Sequence, residues 1–278
     1  MNVTCWKCKA EIPCDFNYCC HCGNKLKNSS ALPLPETTKD ILFLKDLYNF
    51  GWYNRYDTAV SLYESVFNIS DIQLKYNAFS DPSRFQRILV AKIFCEYMGL
   101  LESTGMLLLS ISRRNSVSFS WSYSHTEPYE VTQFYLRIKN IKRLNVGKLL
   151  NFPTITVIEE AAKAVGLSAY EQKTLKDSYR NIASNLKLLA DQYLNKDGLL
   201  VRYYNKLKHG FSIIEGEWVQ PPLESDKIAI YTHDGVGYLS PKQDNVLQQI
   251  ENIRNITLIG AEMIATCLAL NKINALYL

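Results

Sequence analysis

The chain has 278 residues, enough for one large domain or for a domain with a small appendage. Hydrophobic residues make up 47% and charged residues 21%, which excludes a low-complexity or disordered chain and fits an ordinary globular protein. The net charge of +4 is too mild to demand a nucleic-acid partner by itself. No apolar run reaches the ~18 residues a bilayer requires, because the best stretch, Ile256 to Leu270, is interrupted by Glu262; no membrane partner is expected.

Of the 8 cysteines, all but Cys95 and Cys267 fall between Cys5 and Cys22. Those two stand alone in apolar helical stretches and read as buried core thiols. Met1 leads into the Cys-rich segment without an apolar leader, so the expected setting is reducing and cytoplasmic. Cys5 and Cys8 form one CxxC, and Cys19 and Cys22 form another. Two such turns facing each other present four thiolates at tetrahedral positions, the donor set that suits structural Zn²⁺. Cys20 and His21 lie inside the second CxxC, where side chains point away from a metal, and Cys14 lies in the connecting loop. All three read as non-ligands. Gly23 follows the second CxxC, where a positive φ is often wanted. So short a segment builds no core of its own, and metal binding would supply its folding energy.

Residues 27–38, polar and carrying two prolines, read as a linker. From 39 to 68 the apolar residues recur at helical spacing, with Gly51 placed to kink or break the run. After a mixed connection over 69–81, Asp81-Pro82-Ser83 starts a helix that runs to about Ser112. That helix is apolar on most sides, as a central bundle helix is, with Glu96 and Glu102 as exceptions. Each glutamate reads first as a solvated or capped carboxylate, and second as a group facing the Arg202 surface described below. Residues 113–128 break the helical rhythm. Arg113 and Arg114 sit at a helix end, where the dipole favours cations, although a basic pair beside aromatics also suits single-stranded nucleic acid. Helices are then expected over 129–145, 154–165 and 169–194, with Gly166 ending one and Ser168 capping the next. Asn195 to Gly198 reads as a turn. Strand signals over 212–219, 227–232 and 236–239 form a small β-meander, and Ser240-Pro241 opens a last helix running to the C-terminus.

Between the turn and the meander lies Gly198 to Phe211, GLLVRYYNKLKHGF. On a helix, Arg202 and His209 return to nearly one azimuth after two turns, with Asn205 and Lys206 on the same side. Leu200, Tyr203, Tyr204, Leu207 and Phe211 fall on the opposite side. An Arg and a His stacked in this way can hold a phosphate and move a proton beside it; the same four residues could equally be a solvated basic face.

The N-terminal segment resembles the short zinc ribbons found at the ends of many bacterial proteins. The resemblance rests on Cys5, Cys8, Glu11-Ile12-Pro13, Tyr18, Cys19, Cys22-Gly23 and Lys25-Leu26. It implies Zn²⁺ on Cys5, Cys8, Cys19 and Cys22. Arg202 and His209, on the penultimate helix of a helical domain, resemble the R-x(4–6)-H motif of the HEPN superfamily. Tyr203 stands where that family often has a polar residue, and Asn205 is the nearest amide.

The fold expected is therefore mainly α: a HEPN-like helical bundle over 39–278, a zinc ribbon over 1–26, and a β insertion at about 212–239. The resemblance implies a metal-independent ribonuclease or RNA-binding protein of bacterial toxin or antiviral-defence type, acting as a homodimer. Arg202 would hold the scissile phosphate, His209 would transfer protons, and Asn205 would orient them. Lys206 and Lys208 would add positive field for RNA. The alternative is a non-catalytic zinc-ribbon helical adaptor that binds a protein or nucleic-acid partner.

Overall fold

The computed structural model describes residues 2–4, 9, 11–13, 43, 46–67, 82–113, 119–150, 154–164, 166–208, 213–214, 228–232, 235–239 and 242–277. The four ribbon cysteines, Cys14, the linker, Arg114 and His209 lie outside these residues. In chain order the elements are β1 (Asn2–Thr4), β2 (Glu11–Pro13), a π-helical turn (Leu47–Tyr53), α1 (Asn54–Phe67), α2 (Pro82–Arg113) and α3 (Phe119–Ser124). They continue with α4 (Pro128–Asn140), α5 (Val146–Leu150), α6 (Ile155–Ala164), α7 (Ala169–Tyr193) and α8 (Asn195–Lys208). The last are β3 (Ile213–Ile214), β4 (Ile228–Thr232), β5 (Gly235–Leu239) and α9 (Gln243–Tyr277). The protein is mainly helical, as expected, and the meander is present as an antiparallel sheet in the order β3-β4-β5.

Several local expectations meet specific physical causes. Gly51, expected to kink or break the helix, lies within the π-helical turn that runs directly into α1. Pro82 stands at the first position of α2. Gly166 has φ 76°, and the N–H groups of Gly166 and Leu167 donate to the carbonyls of Lys163 and Ala162, closing α6 with a Schellman motif. Ser168 and Glu171 form a reciprocal capping box: the Ser168 N–H donates to the Glu171 carboxylate at 2.8 Å, and the Glu171 N–H donates to Ser168 Oγ at 3.3 Å.

Three expectations need correction. The break over 113–128 contains a helical turn and a half, α3, too short for periodicity to reveal. The helix expected to reach 145 ends at Asn140, and the separate α5 follows. The turn expected over Asn195 to Gly198 is assigned to the start of α8, although Gly198 keeps a turn residue's backbone at φ 81°. Its N–H donates to the Leu194 carbonyl at 3.2 Å.

The chain forms two compact units. The first comprises Met1–Leu47, Thr104–Ala190 and Gly260–Leu278. Its core is built from Leu107, Leu108 and Ile111 on α2, Val131, Phe134, Tyr135 and Ile138 on α4, and Ile182, Leu186 and Leu189 on α7. Gly105 lets α4 approach α2 closely, since a side chain there would meet Val131 and Tyr135.

The second unit comprises Tyr48–Ser103 and Asp191–Ile259. Its core gathers Trp52, Val90, Ile93, Phe94, Met98, Leu101, Val201, Tyr203, Tyr204, Ile228, Ile230, Val246 and Ile253. The α2 helix is buried around most of its circumference in both units, which explains its nearly continuous apolar character. Its serines close onto the helix itself: Ser103 Oγ donates to the Gly99 carbonyl and Ser110 Oγ to that of Met106.

Candidate functional site

The Arg202 helix, α8, belongs to the second unit and packs against β4. Its inward side follows the expected pattern only in part: Tyr203 and Tyr204 are buried, Leu200 and Leu207 are half-buried, and Phe211 lies outside the described residues. Val201, which is not among the residues expected inside, is buried as well, while Asn205 and Lys206 are exposed and Arg202 is half-buried. The helix carries Arg202, Asn205 and Lys206 as the sequence predicts, and the chain enters His209 directly after its last residue, Lys208.

The anchoring of α8 depends on two relationships that its own sequence does not announce. The first is with β5. Gly237 is buried, and a side chain there would overlap the phenol of Tyr203, so the glycine makes room for that ring. Burial raises the Tyr203 pKa, which keeps its hydroxyl protonated.

The second relationship is with Glu102 on α2. Glu102 is 6% exposed. Its Oε2 accepts hydrogen bonds from Tyr204 Oη at 2.9 Å and from Lys208 Nζ at 3.0 Å. The Lys208 ammonium also lies 5.2 Å from the centroid of the Tyr204 ring. Burial first, then the charge of Glu102 and the hydrogen bond to it, push the Tyr204 pKa well above its ordinary value. Tyr204 is therefore a firm donor at any physiological pH. The second carboxylate oxygen, Oε1, is buried without a hydrogen-bond partner among the described residues.

Glu102 is thus not the solvated carboxylate that its place on a helix suggested. It faces the Arg202 helix, and the groups it meets there are Tyr204 and Lys208. Lys208, expected to add positive field for RNA, is held in an ion pair. The other polar exception, Glu96, pairs with Arg55 of α1 at 2.8 Å. The Arg55 guanidinium lies over Gly99, where a side chain would collide with it. Cys95, one residue before Glu96, is half-buried, and burial pushes its thiol pKa up to about 11. The signal for this whole cluster is that Glu96 and Glu102 are the two acidic residues of a helix apolar on most sides. Their partners lie up to 106 positions away in sequence, so no local pattern names them.

At the N-terminus, β1 and β2 pair antiparallel, with Thr4 opposite Glu11 and Val3 opposite Ile12. The first CxxC therefore falls in the connection between two paired strands. Lys9, the residue after Cys8, has φ 63°, an uncommon backbone for a side chain other than Gly. Its place after Cys8 is that of Gly23 after Cys22. Among the described residues no three His, Cys, Asp or Glu side chains gather as a metal site. Among those same residues no helix is long and apolar enough to cross a membrane.

No protein-family model matches this chain, and no curated protein or solved structure matches it.

Proposed function

We propose that the chain is an RNA-directed protein of HEPN type, an endoribonuclease acting through Arg202, Asn205 and His209, with a structural Zn²⁺ held by Cys5, Cys8, Cys19 and Cys22. One observation carries the reading: Arg202, Asn205 and Lys206 share a helix whose other side is committed to the core by Val201, Tyr203 and Tyr204. A helix anchored in this way holds the backbone beneath its polar residues in place.

The chemistry follows from the groups. The 2′-oxygen attacks phosphorus while the bond to the 5′-oxygen breaks, leaving a 2′,3′-cyclic phosphate and a free 5′-hydroxyl. The 2′-OH must lose a proton and the 5′-oxygen must gain one. An imidazole with an ordinary pKa of about 6.5 serves either transfer near neutrality. Arg202 would hold the phosphate bidentately and stabilise its growing charge. With one such histidine per chain, a symmetric homodimer supplies the acid and the base together. In the ribbon, the donor set of four thiolates fits Zn²⁺. The strand pairing before and after the first CxxC and the positive φ of Lys9 support that fit.

The test is cleavage of a panel of end-labelled RNAs by the full chain. His209→Ala and Arg202→Ala should each lower the rate by about 10²-fold or more, with light scattering still reporting a dimer. A wild-type protein inert on every RNA, or an equally active His209→Ala, overturns the catalytic assignment.

The ion pair of Lys208 with Glu102 favours a second reading, in which the α8 face is structural and the chain is a zinc-ribbon adaptor for a protein or nucleic acid. In that case biological activity survives His209→Ala and is lost in Cys19→Ser.

A further inference from the structure

The first unit contains an open cleft of about 500 Å³ between the start of α5, the start of α6 and the middle of α7. Leu144, Val146 and Ile155 give it apolar walls, and the aromatic residue Tyr179 is part of its lining. Two arginines, Arg143 and Arg180, are also among the lining residues. Arg143 is exposed and makes no ion pair among the described residues. Arg180 is held only loosely, 3.7 Å from Asp177 one turn earlier, and its side chain is 60% exposed. Glu159, whose carboxylate feels the charge of Arg180, pairs with Lys176.

Along the sequence the charge on either side of Arg143 is of one sign. From Val131 to Ile158 the sequence contains no Asp or Glu, while it carries Arg137, Lys139, Lys142, Arg143 and Lys148. All five cations are exposed, and none is paired with a carboxylate among the described residues. A chain whose net charge is only +4 thus concentrates unneutralised cations in one short segment. Such a segment is an electrostatic footprint for a polyanion. The apolar walls and the Tyr179 ring add what a purely ionic site lacks, a place for a flat unpaired base to stack. A duplex keeps its bases stacked inside and cannot use that feature.

We propose that this cleft and the cationic segment form a docking surface for single-stranded RNA. One unpaired base sits in the cleft against Tyr179. Arg143 and Arg180 take the phosphates beside it, and the neighbouring lysines take those further along. The choice of RNA over other polyanions rests on the reading given under Proposed function; the site itself rests on charge and shape, and not on Arg202 or His209.

The experiment is fluorescence anisotropy with the full chain and a 2′-O-methyl RNA of about twelve nucleotides at about 0.1 M salt. The probe lacks the 2′-OH nucleophile, so the chain cannot cleave it by the proposed route. Arg143→Ala with Arg180→Ala should weaken binding about tenfold or more. The slope of log K against log salt should fall by about 1.4, two contacts at ~0.7 each. Tyr179→Leu should cost between about 5- and 150-fold, the range of one base–aromatic stack. Lys92→Ala, which removes a cation of the second unit, should change nothing.

Unchanged affinity and slope in the double arginine variant overturn the proposal. So does a duplex of equal length that binds as tightly as the single strand, or a free mononucleotide that displaces the strand at equal concentration. Cleavage of unmodified RNA alongside unchanged binding in the variant would sink this inference alone. Variant-sensitive binding without any cleavage would sink the catalytic reading alone.

Discussion

Tyr204 donates its phenolic hydrogen to Glu102 Oε2 at 2.9 Å, joining two helices through residues 102 positions apart. Lys208 donates to the same oxygen at 3.0 Å. The two donors are not equivalent, because Tyr204 is buried whereas the Lys208 side chain is 39% exposed. Tyr204→Phe leaves a buried carboxylate short of a donor and should lower stability by about 1–3 kcal/mol. Lys208→Met removes a pair that water already screens and should cost less, about 1 kcal/mol or below. Urea midpoints of the two variants check the order. A larger loss from Lys208→Met would mean that charge, not the buried hydrogen bond, holds α8 to α2.

Gly237 and Tyr203 occupy adjoining space, and any side chain at 237 invades the ring. Gly237→Ala should therefore destabilise by about 1–3 kcal/mol through overpacking. In a Tyr203→Leu background the penalty should shrink, since the overlapping atoms are gone. The coupling between the two substitutions is the quantity to measure, expected at about 0.5–3 kcal/mol for residues in contact. Strict additivity would show that the penalty at 237 does not come from the Tyr203 ring.

Alkaline pH should weaken the second unit in a defined order. Burial raises the Cys95 thiol from an ordinary 9.0 to about 11 and the Tyr97 hydroxyl from 10.0 to about 12. Each raised value means that the unfolded chain loses the proton first. The stabilisation is thus complete below the unfolded value and is lost as pH rises towards the folded one. Stability should decline between pH 9 and 11 through Cys95 and between pH 10 and 12 through Tyr97. Cys95→Ala should flatten the first part of the curve and leave the second. Urea titrations at a series of pH values provide the measurement; a Cys95→Ala curve parallel to wild type would remove the thiol from the account.

Metal analysis tests the N-terminal segment independently of any activity. The purified chain should carry about one Zn²⁺, lost in Cys19→Ser and retained in Cys14→Ser. Far-ultraviolet dichroism of the Cys19→Ser protein should keep its helical signal, because both helical units have cores of their own. Retention of zinc by Cys19→Ser, or its loss from Cys14→Ser, would redraw the ligand set.

Local signals accounted for much of the fold. The starts and stops at Pro82, Gly166 and Ser168 were legible because a cap or a positive-φ glycine acts within one turn of the chain. The meander was legible from its β-branched and aromatic runs. The helices α3 and α5 were not, since neither is long enough to complete a periodic pattern. In the candidate site, the division of α8 into a buried tyrosine side and a wet Asn205–Lys206 side was readable from helical spacing alone.

By itself the sequence determined where most helices run, that Tyr203 and Tyr204 are on the buried side of α8, and that two CxxC motifs lie close together along the N-terminal sequence. These are consequences of spacing and of groups a few residues apart. Only the tertiary structure decided that Lys208 serves Glu102, that Gly237 exists for the ring of Tyr203, and that Arg143 and Arg180 line one cleft. Each of those facts concerns groups brought together by packing across long stretches of chain. A buried charge takes its partner from whatever the fold places beside it, and spacing along the chain carries no record of that choice.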